Sequence, residues 1–549
     1  MDQTKSSQTK PALKRSLGIC CIAILITLAA CSRSDKVQQA SSEEPVKQVE
    51  QLPVSTIEHP DDWYAQGQSL LQEKLQQPLN QRPAKNVILF IGDGLSVATV
   101  TAARILDGQL RGESGEENFL SFEHFPYTGL SKTYNTDSQT PDSAGTATAM
   151  LSGIKTKISV VGMNDKVVRG ECAGSQAAIA PSLLELAEQA GYKTGVIATT
   201  RITHATPASA FAHVAHRDWE AQAPQGCKDI ASQLVDFDKG DGIEVVLGGG
   251  RAAFLPVSTP DPEYADKSGY RRDGKNLIQT WQAQTPSRKY VWNLQDFNAL
   301  ALSKHAYSQI LGLFEPSHMQ YEADRGEDAS GEPSIADMTG FAIKHLSSED
   351  GFFLLVEGGR IDHAHHAANA YRALHDAVAF ADAVKMADEL TNDEDTLIVV
   401  TADHGHVMEF AGYPKRGNPI LGKVSSALTV DGMTLDRDAS GKPYTTLGYL
   451  NGPGHIGASD TQPEGSKSYP HYPNTIQGIT NGRPDLSEVD TEDKNYLQES
   501  GIPTRSETHS GTDVGVYAKG PAAHLLTGVY EQNYIFHVMQ HALRLEPAE

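Results

Sequence analysis

The sequence predicts an α/β protein: a doubly wound, mostly parallel sheet with helices on both faces. Two observations carry that prediction. Continuous apolar, β-branched runs recur along the chain, as strands buried on both faces require, and helical patterns separate them. Three of the runs also end in acidic or Gly-rich turns, and ligands of such sheets sit beyond the carboxyl ends of the strands. Composition agrees with this class. A chain of 549 residues, 39% hydrophobic and 21% charged, is a globular protein with room for a large core, and neither a polytopic membrane protein nor a low-complexity chain. With 46 Lys+Arg against 69 Asp+Glu the formal net charge is −23, so no basic face for nucleic acid is in prospect. Small anionic substrates stay open, because bound metal ions reverse the sign of a local site.

The elements follow in order. Lys5, Lys10, Lys14 and Arg15 precede an apolar stretch, Leu17 to Ala30, too short for a comfortable membrane span and laid out like a secretory signal. It ends Leu28-Ala29-Ala30-Cys31, which resembles a bacterial lipobox, so residues 1–30 are expected to be removed and Cys31 to take a lipid. An uncleaved signal anchor is the alternative. Residues 31–56, rich in Ser, Gln, Glu and Val, read as a flexible tether. The reading places the protein outside the cytoplasm, lipid-anchored in the periplasm, at the outer membrane or on the cell surface of a Gram-negative bacterium. Residues 57–80 read as one amphipathic helix. Asn86 to Ile91 is the first strand and runs into Gly92-Asp93-Gly94; Lys193 to Thr199 and Ile243 to Gly250 are further strands. Gly351 to Val356 runs into Glu357-Gly358-Gly359, and Thr396 to Ala402 into Asp403-His404. Residues 412–507, rich in Gly, Pro, Asn, Ser and Tyr, read as an insertion decorating the core. Cys172 and Cys227 are an even pair bound for an oxidising compartment. A disulfide is expected; two separate thiols are the alternative that a cysteine count leaves open.

Chemistry gathers at the strand ends. Asp362 and His366 stand four residues apart and can face one ion from a helix or tight turn. Asp93 and Asp403-His404 close two other strands, and His509 follows the insertion. Oxygen and imidazole donors without thiolate suit zinc in a catalytic role plus a harder ion held by oxygens. Asp142-Ser143 opens a run of small helix formers, which puts Ser143 at a helix N-terminus where backbone N–H groups favour an anion. A serine there is a poor nucleophile unless something lowers its pKa, and metal coordination does so.

Taken together, Gly92-Asp93-Gly94, Pro141 to Ala149 (PDSAGTATA), Glu357 to His363 (EGGRIDH), Thr401-Ala402-Asp403-His404 and Glu507 to Gly511 (ETHSG) resemble the alkaline phosphatase family, in that family's order, from about residue 60 onward. The resemblance implies a dimeric α/β metalloenzyme that hydrolyses phosphate monoesters through a phosphoserine, with two Zn2+ and one Mg2+. It makes Ser143 the nucleophile and Arg217 the phosphate-gripping arginine. It gives Asp362, His366 and His509 to one zinc and Asp93, Asp403 and His404 to the other, with Asp93, Glu357 and Thr206 at magnesium. His204 and His363, together with Asp142, would surround these ligands, and the two histidines point to the animal-like branch. That branch also implies a Cys172–Cys227 disulfide and a peripheral Ca2+ site of Glu263, the Phe314 carbonyl, Glu315 and Glu332; solvated surface acids are the alternative. The 57–80 helix resembles an arm embracing a partner subunit, and the insertion resembles the crown over the dimer interface. Two rivals remain at this stage: diesterase, phosphonate hydrolase or sulfatase chemistry on a related two-metal site, and a metal-binding lipoprotein without catalysis.

Overall fold

The computed structural model describes residues 60–302, 306–428, 434–478 and 482–546. The expected leader, Cys31 and the tether lie outside these residues. Ten strands form the main sheet: β1 (Asn86–Gly92), β2 (Tyr127–Lys132), β3 (Lys193–Arg201), β4 (Val245–Gly249), β5 (Arg288–Val291), β6 (Gln309–Leu313), β7 (Phe352–Gly358), β8 (Thr396–Ala402), β9 (Val514–Lys519) and β10 (Gly528–Glu531). Their order is β10-β2-β9-β8-β1-β7-β3-β4-β6-β5. Every neighbouring pair is parallel except the two that β9 makes, with β8 and with β2.

The central strands are apolar throughout because both of their faces are covered. Val87, Leu89 and Ile91 enter one core, with Phe353, Leu355, Leu397 and Val399. Ile88 and Phe90 enter the opposite one, with Phe352, Leu354, Val356, Ile398 and Val400. Helices Ser143–Ser152, Leu183–Gln189 and Tyr534–Ala542 supply apolar residues to the first core. Val97–Leu110, Ile335–Leu346 and Ala370–Leu390 supply the second. Each layer buries a side of the sheet that would otherwise face water.

Register then positions the chemistry. Gly92 pairs with both Gly358 and Ala402, so β7, β1 and β8 end side by side. Glu357, Asp93 and Asp403 therefore converge at one point on the carboxyl edge.

The helix before the first strand spans Pro60–Gln76, within the expected 57–80. From Trp63 onward its side chains are exposed, Leu70, Leu71 and Leu75 among them. The insertion carries only short strands; Leu447–Gly452 pairs with Met408–Phe410 and with Ser500–Pro503. Side chains tie it to the core: Asn369 Nδ2 donates to the Lys494 carbonyl at 2.9 Å, and Gln498 Oε1 accepts from Ala370 N at 2.7 Å.

Candidate active site

Ser143 is the first residue of its helix, and Asp142 caps that helix by accepting from Gly145 N at 3.2 Å. Asp142 does more than cap. Its Oδ1 also accepts from Asn135 Nδ2 at 3.0 Å, and its Oδ2 accepts from Ser159 N at 3.0 Å and from Arg217 Nη1 at 3.1 Å. The capping carboxylate thus fixes the arginine beside the serine. Gly145 makes the arrangement possible, since a Cβ there would lie 2.5 Å from Asn135 Oδ1. Arg217 Nη2 also donates to His204 Nε2 at 2.9 Å, which leaves the proton of that neutral ring on Nδ1.

Two groups of side chains face Ser143, both assembled from the predicted strand ends. In the first, His404 Nε2 lies 3.2 Å from Ser143 Oγ, 3.2 Å from Asp403 Oδ2 and 3.4 Å from Asp93 Oδ1. One imidazole nitrogen cannot serve three oxygens as a hydrogen-bond donor, whereas a cation among them satisfies all four atoms. Asp93 Oδ1 is buried and has no hydrogen-bond partner in the protein. Burial pushes the Asp93 carboxyl well up, and the charges of Asp403, Asp362 and Glu357 push it further. Gly94, at φ +72°, keeps the turn clear, because a Cβ would lie 2.4 Å from the His406 ring.

In the second group, Asp362, His366, His406 and His509 converge. His366 Nδ1 donates to the Glu507 carbonyl at 2.6 Å and His509 Nδ1 to the Pro141 carbonyl at 2.8 Å. A carbonyl only accepts, so in the neutral rings both Nε2 atoms carry lone pairs, and they face each other at 3.1 Å. Asp362 Oδ1 lies 3.4 Å from His366 Nε2 and 3.3 Å from His509 Nε2. Two lone pairs and a carboxylate in mutual contact form a set that a divalent cation completes. The donors are nitrogen and oxygen only, as zinc at an open site accepts.

His406 follows Asp403-His404 in the sequence, but the sequence assigns it no role of its own because nothing but its neighbours distinguishes it. It bridges two carboxylates, with Nε2 2.7 Å from Asp362 Oδ1 and Nδ1 2.5 Å from Glu507 Oε2. Burial disfavours a charged ring, but Glu507 and Asp362 outweigh it and hold the imidazole up at about 10. His406 therefore acts as a cationic brace for Asp362. In the fold a short strand, Gly405–His406, pairs with His509–Ser510 and so brings His406 to the site.

A third group joins Asp93, Glu357 and His204, with Thr206 beside them. Thr200 Oγ1 donates to Glu357 Oε2 at 2.5 Å, another contact the sequence did not reveal. Burial raises the Glu357 carboxyl to about 8 against the Thr200 bond. Glu357 Oε1 is buried without a hydrogen-bond partner among the described residues, and Thr206 lies near enough to act on the Glu357 carboxyl, an oxygen grouping that suits a hard cation. His363 packs 5.5 Å from His204, and His318, also missed, packs 4.1 Å from His363. Burial keeps all three rings well below the ordinary histidine range.

At the expected peripheral ion site the structure adds a carboxylate. Glu263, Glu315 and Asp328 converge. Glu332 accepts from Gln320 N through Oε1 at 3.0 Å, its Oε2 is buried without a hydrogen-bond partner among the described residues, and burial, with the charges of Glu315 and Asp328, pushes its carboxyl up to about 9. The Phe314 carbonyl accepts from Arg251 Nη1 at 2.6 Å. Asp328, which the sequence reading did not name, thus joins Glu263 and Glu315 here. Cys172 and Cys227 are joined in a disulfide.

The family model described as alkaline phosphatase matches residues 84–545. The tissue-nonspecific alkaline phosphatase of Gallus gallus is 45% identical over 503 residues, covering 89% of this chain and 90% of its own. The Homo sapiens isozyme of that name is 44% identical over 498 residues, with 88% of each chain covered. Among solved structures, the alkaline phosphatase of Thermus thermophilus aligns with a TM-score of 0.60 at 23% identity, over 86% of this chain and 94% of that one. That of the Antarctic bacterium TAB5 aligns at 0.56 and 24%, over 85% and 100%. The structures speak for the fold and the sequences for the activity, and on both the chain belongs to the alkaline phosphatase family, enzymes that hydrolyse phosphate monoesters.

Proposed function

We propose that this phosphatase works through a phosphoserine formed on Ser143, at a site of two zinc ions and one magnesium ion. The observation that carries the reading is the convergence of three cation-hungry donor sets around one serine at a helix N-terminus. Asp362, His366 and His509 would hold one zinc, and Asp93, Asp403 and His404 the other. Asp93, Glu357 and Thr206 would hold magnesium. When bound, such ions supply the positive charge that stabilises a serine alkoxide and a departing oxygen.

The chain's own groups do the rest. Ser143 Oγ attacks phosphorus as the phosphorus–ester oxygen bond breaks, and the alcohol leaves with a proton. Water then attacks the phosphoserine, releasing inorganic phosphate and restoring the hydroxyl. The planar Arg217 guanidinium, held by Asp142 and His204, can grip two phosphoryl oxygens at once. The helix N-terminus adds backbone N–H groups toward the same anion. A monoester offers three non-bridging oxygens, so two can meet Arg217 while the third faces the cations; a diester has only two to share between them. Around this centre we place a Ca2+ ion at Glu263, Glu315 and Asp328, a homodimer gripped by the Pro60–Gln76 helix, and an exported, lipid-anchored address.

The test is hydrolysis of p-nitrophenyl phosphate beside its bis-ester at alkaline pH, before and after chelation. Monoester turnover should vanish on chelation and return with zinc plus magnesium. Preference for the bis-ester would move the site to diester chemistry. Absence of both activities with metal verified as bound would overturn the reading.

A further inference from the structure

The main chain of one residue joins the serine's helix to the arginine. Ser159 N donates to Asp142 Oδ2 at 3.0 Å, and Arg217 N donates to the Ser159 carbonyl at 2.8 Å. Asp142 is both the cap of the helix that opens at Ser143 and the partner of the Arg217 guanidinium. Ser159 therefore holds that ion pair from both ends. The turn that follows is tied down on the same two sides. Toward the serine's helix, Thr148 Oγ1 accepts from Gly162 N at 2.9 Å and donates to the Val160 carbonyl at 3.4 Å. Toward the arginine's segment, Val161 N donates to the Val214 carbonyl at 3.1 Å, and Val214 N returns a bond to the Val161 carbonyl at 3.0 Å. His213 Nδ1 donates to the Gly162 carbonyl at 2.7 Å. Thr148, Val160, Val161 and Val214 are fully buried, so water does not compete for these bonds.

Reaching both groups takes an unusual backbone. Ser159 has φ +67°, in the left-handed region, and Gly162 has φ +62°. Glycine adopts that conformation freely, and at Gly162 a Cβ would lie 2.4 Å from the Ala212 carbonyl oxygen. A serine stays there only because its surroundings over-determine it, and such residues gather where geometry serves function. A β-branched residue resists the conformation strongly. Ordinary loop strain would not direct both backbone groups of the strained residue onto one ion pair. The grip matters because two parallel N–H···O bonds to a phosphoryl group tolerate little tilt of the guanidinium. We propose, resting on the roles given above to Ser143 and Arg217, that Ser159 is a positioning residue: its left-handed main chain, anchored through Thr148 and Val214, sets the place and tilt of Arg217 relative to Ser143.

The test uses the intact, metal-loaded enzyme. Ser159→Val should drive the turn out of the left-handed region. It should raise KM for p-nitrophenyl phosphate and the inhibition constant of inorganic phosphate together, by about tenfold, with kcat changed by less than about threefold. A merely structural role would lower the active fraction, and so kcat, and leave both constants alone. Ser159→Gly keeps the conformation and should rescue both constants to within about twofold of the parent enzyme. In an Arg217→Ala background, Ser159→Val should move neither constant further. Unchanged constants in Ser159→Val, or an equal rise with Arg217 already removed, would overturn the proposal. Parental constants in Arg217→Ala itself would remove the arginine's role, and the proposal with it. Should Ser159→Val not fold, Thr148→Val cuts the tie to the helix and should raise the same two constants; parental values there would overturn the proposal as well.

Discussion

At the scale of the residue, Ser143 stands 3.2 Å from His404 Nε2, which invites a serine–histidine reading. That nitrogen, however, also faces Asp93 and Asp403, and burial holds the ring neutral, so it is a shared donor atom and not a base kept for the serine. Chelation should then abolish activity while leaving His404 in place, which a dyad would not do. Arg217→Lys should raise KM for a monoester by roughly tenfold, because an ammonium cannot make two parallel bonds to a phosphoryl group; an unchanged KM would refute that role. His406→Asn removes the brace between Asp362 and Glu507 and should weaken zinc binding by about 10–100-fold, measured by calorimetry on chelated protein. Most of these residues could be picked out in the sequence, the carboxylates because strand-end motifs are short and local, and Arg217 only through the family resemblance. His406, His318 and Thr200 were not, since each acts through a neighbour that only folding supplies. Asp328 was missed for another reason: its place depends on the path of a loop, and no local pattern fixes that path.

At the scale of the element, the parallel register of β1, β7 and β8 decides the site, and the apolar runs made those strands readable before any coordinate. The insertion was readable only as irregular chain, because its short ladders draw on partners far apart in sequence. The helix opening at Ser143 depends on its cap. Asp142→Ala should cost about 1 kcal/mol of stability in denaturant titrations and should also slow turnover by freeing Arg217. Gly145→Ala should slow turnover with the cap residue still present, because the new methyl displaces Asn135 from Asp142. Two buried acids flank the start of β3. Burial raises Glu188 to about 7 and Glu244 to about 8, and both contact Thr194. Native pKa values above the unfolded ones mean that stability falls as pH rises from about 4.5 to about 8, then levels. Glu188→Gln with Glu244→Gln should flatten that decline in Tm; an unaltered pH profile would show that these carboxyls are not the cause.

At the scale of the molecule, one apolar face stays open to solvent among the described residues. The helix Pro60–Gln76 exposes Trp63, Tyr64, Leu70, Leu71 and Leu75, an apolar side that a solitary helix has no reason to present to water. A second subunit would cover it. Ultracentrifugation should give twice the chain mass, and removal of residues through 79 should shift the protein toward monomer. The Cys172–Cys227 bond closes a loop of 55 residues. Opening such a loop costs about 4 kcal/mol by chain entropy, so reduction should lower Tm visibly without touching the metal ligands.

The measurement that bears most directly on the central claim is capture of the covalent intermediate. The metal-loaded enzyme would be mixed with a phosphate monoester, quenched in acid and digested, and its peptides weighed. The account predicts one phosphate on the peptide carrying Ser143, absent from Ser143→Ala, whose turnover should fall by at least about 10³-fold. Full turnover by Ser143→Ala, or phosphate on another residue, would contradict it.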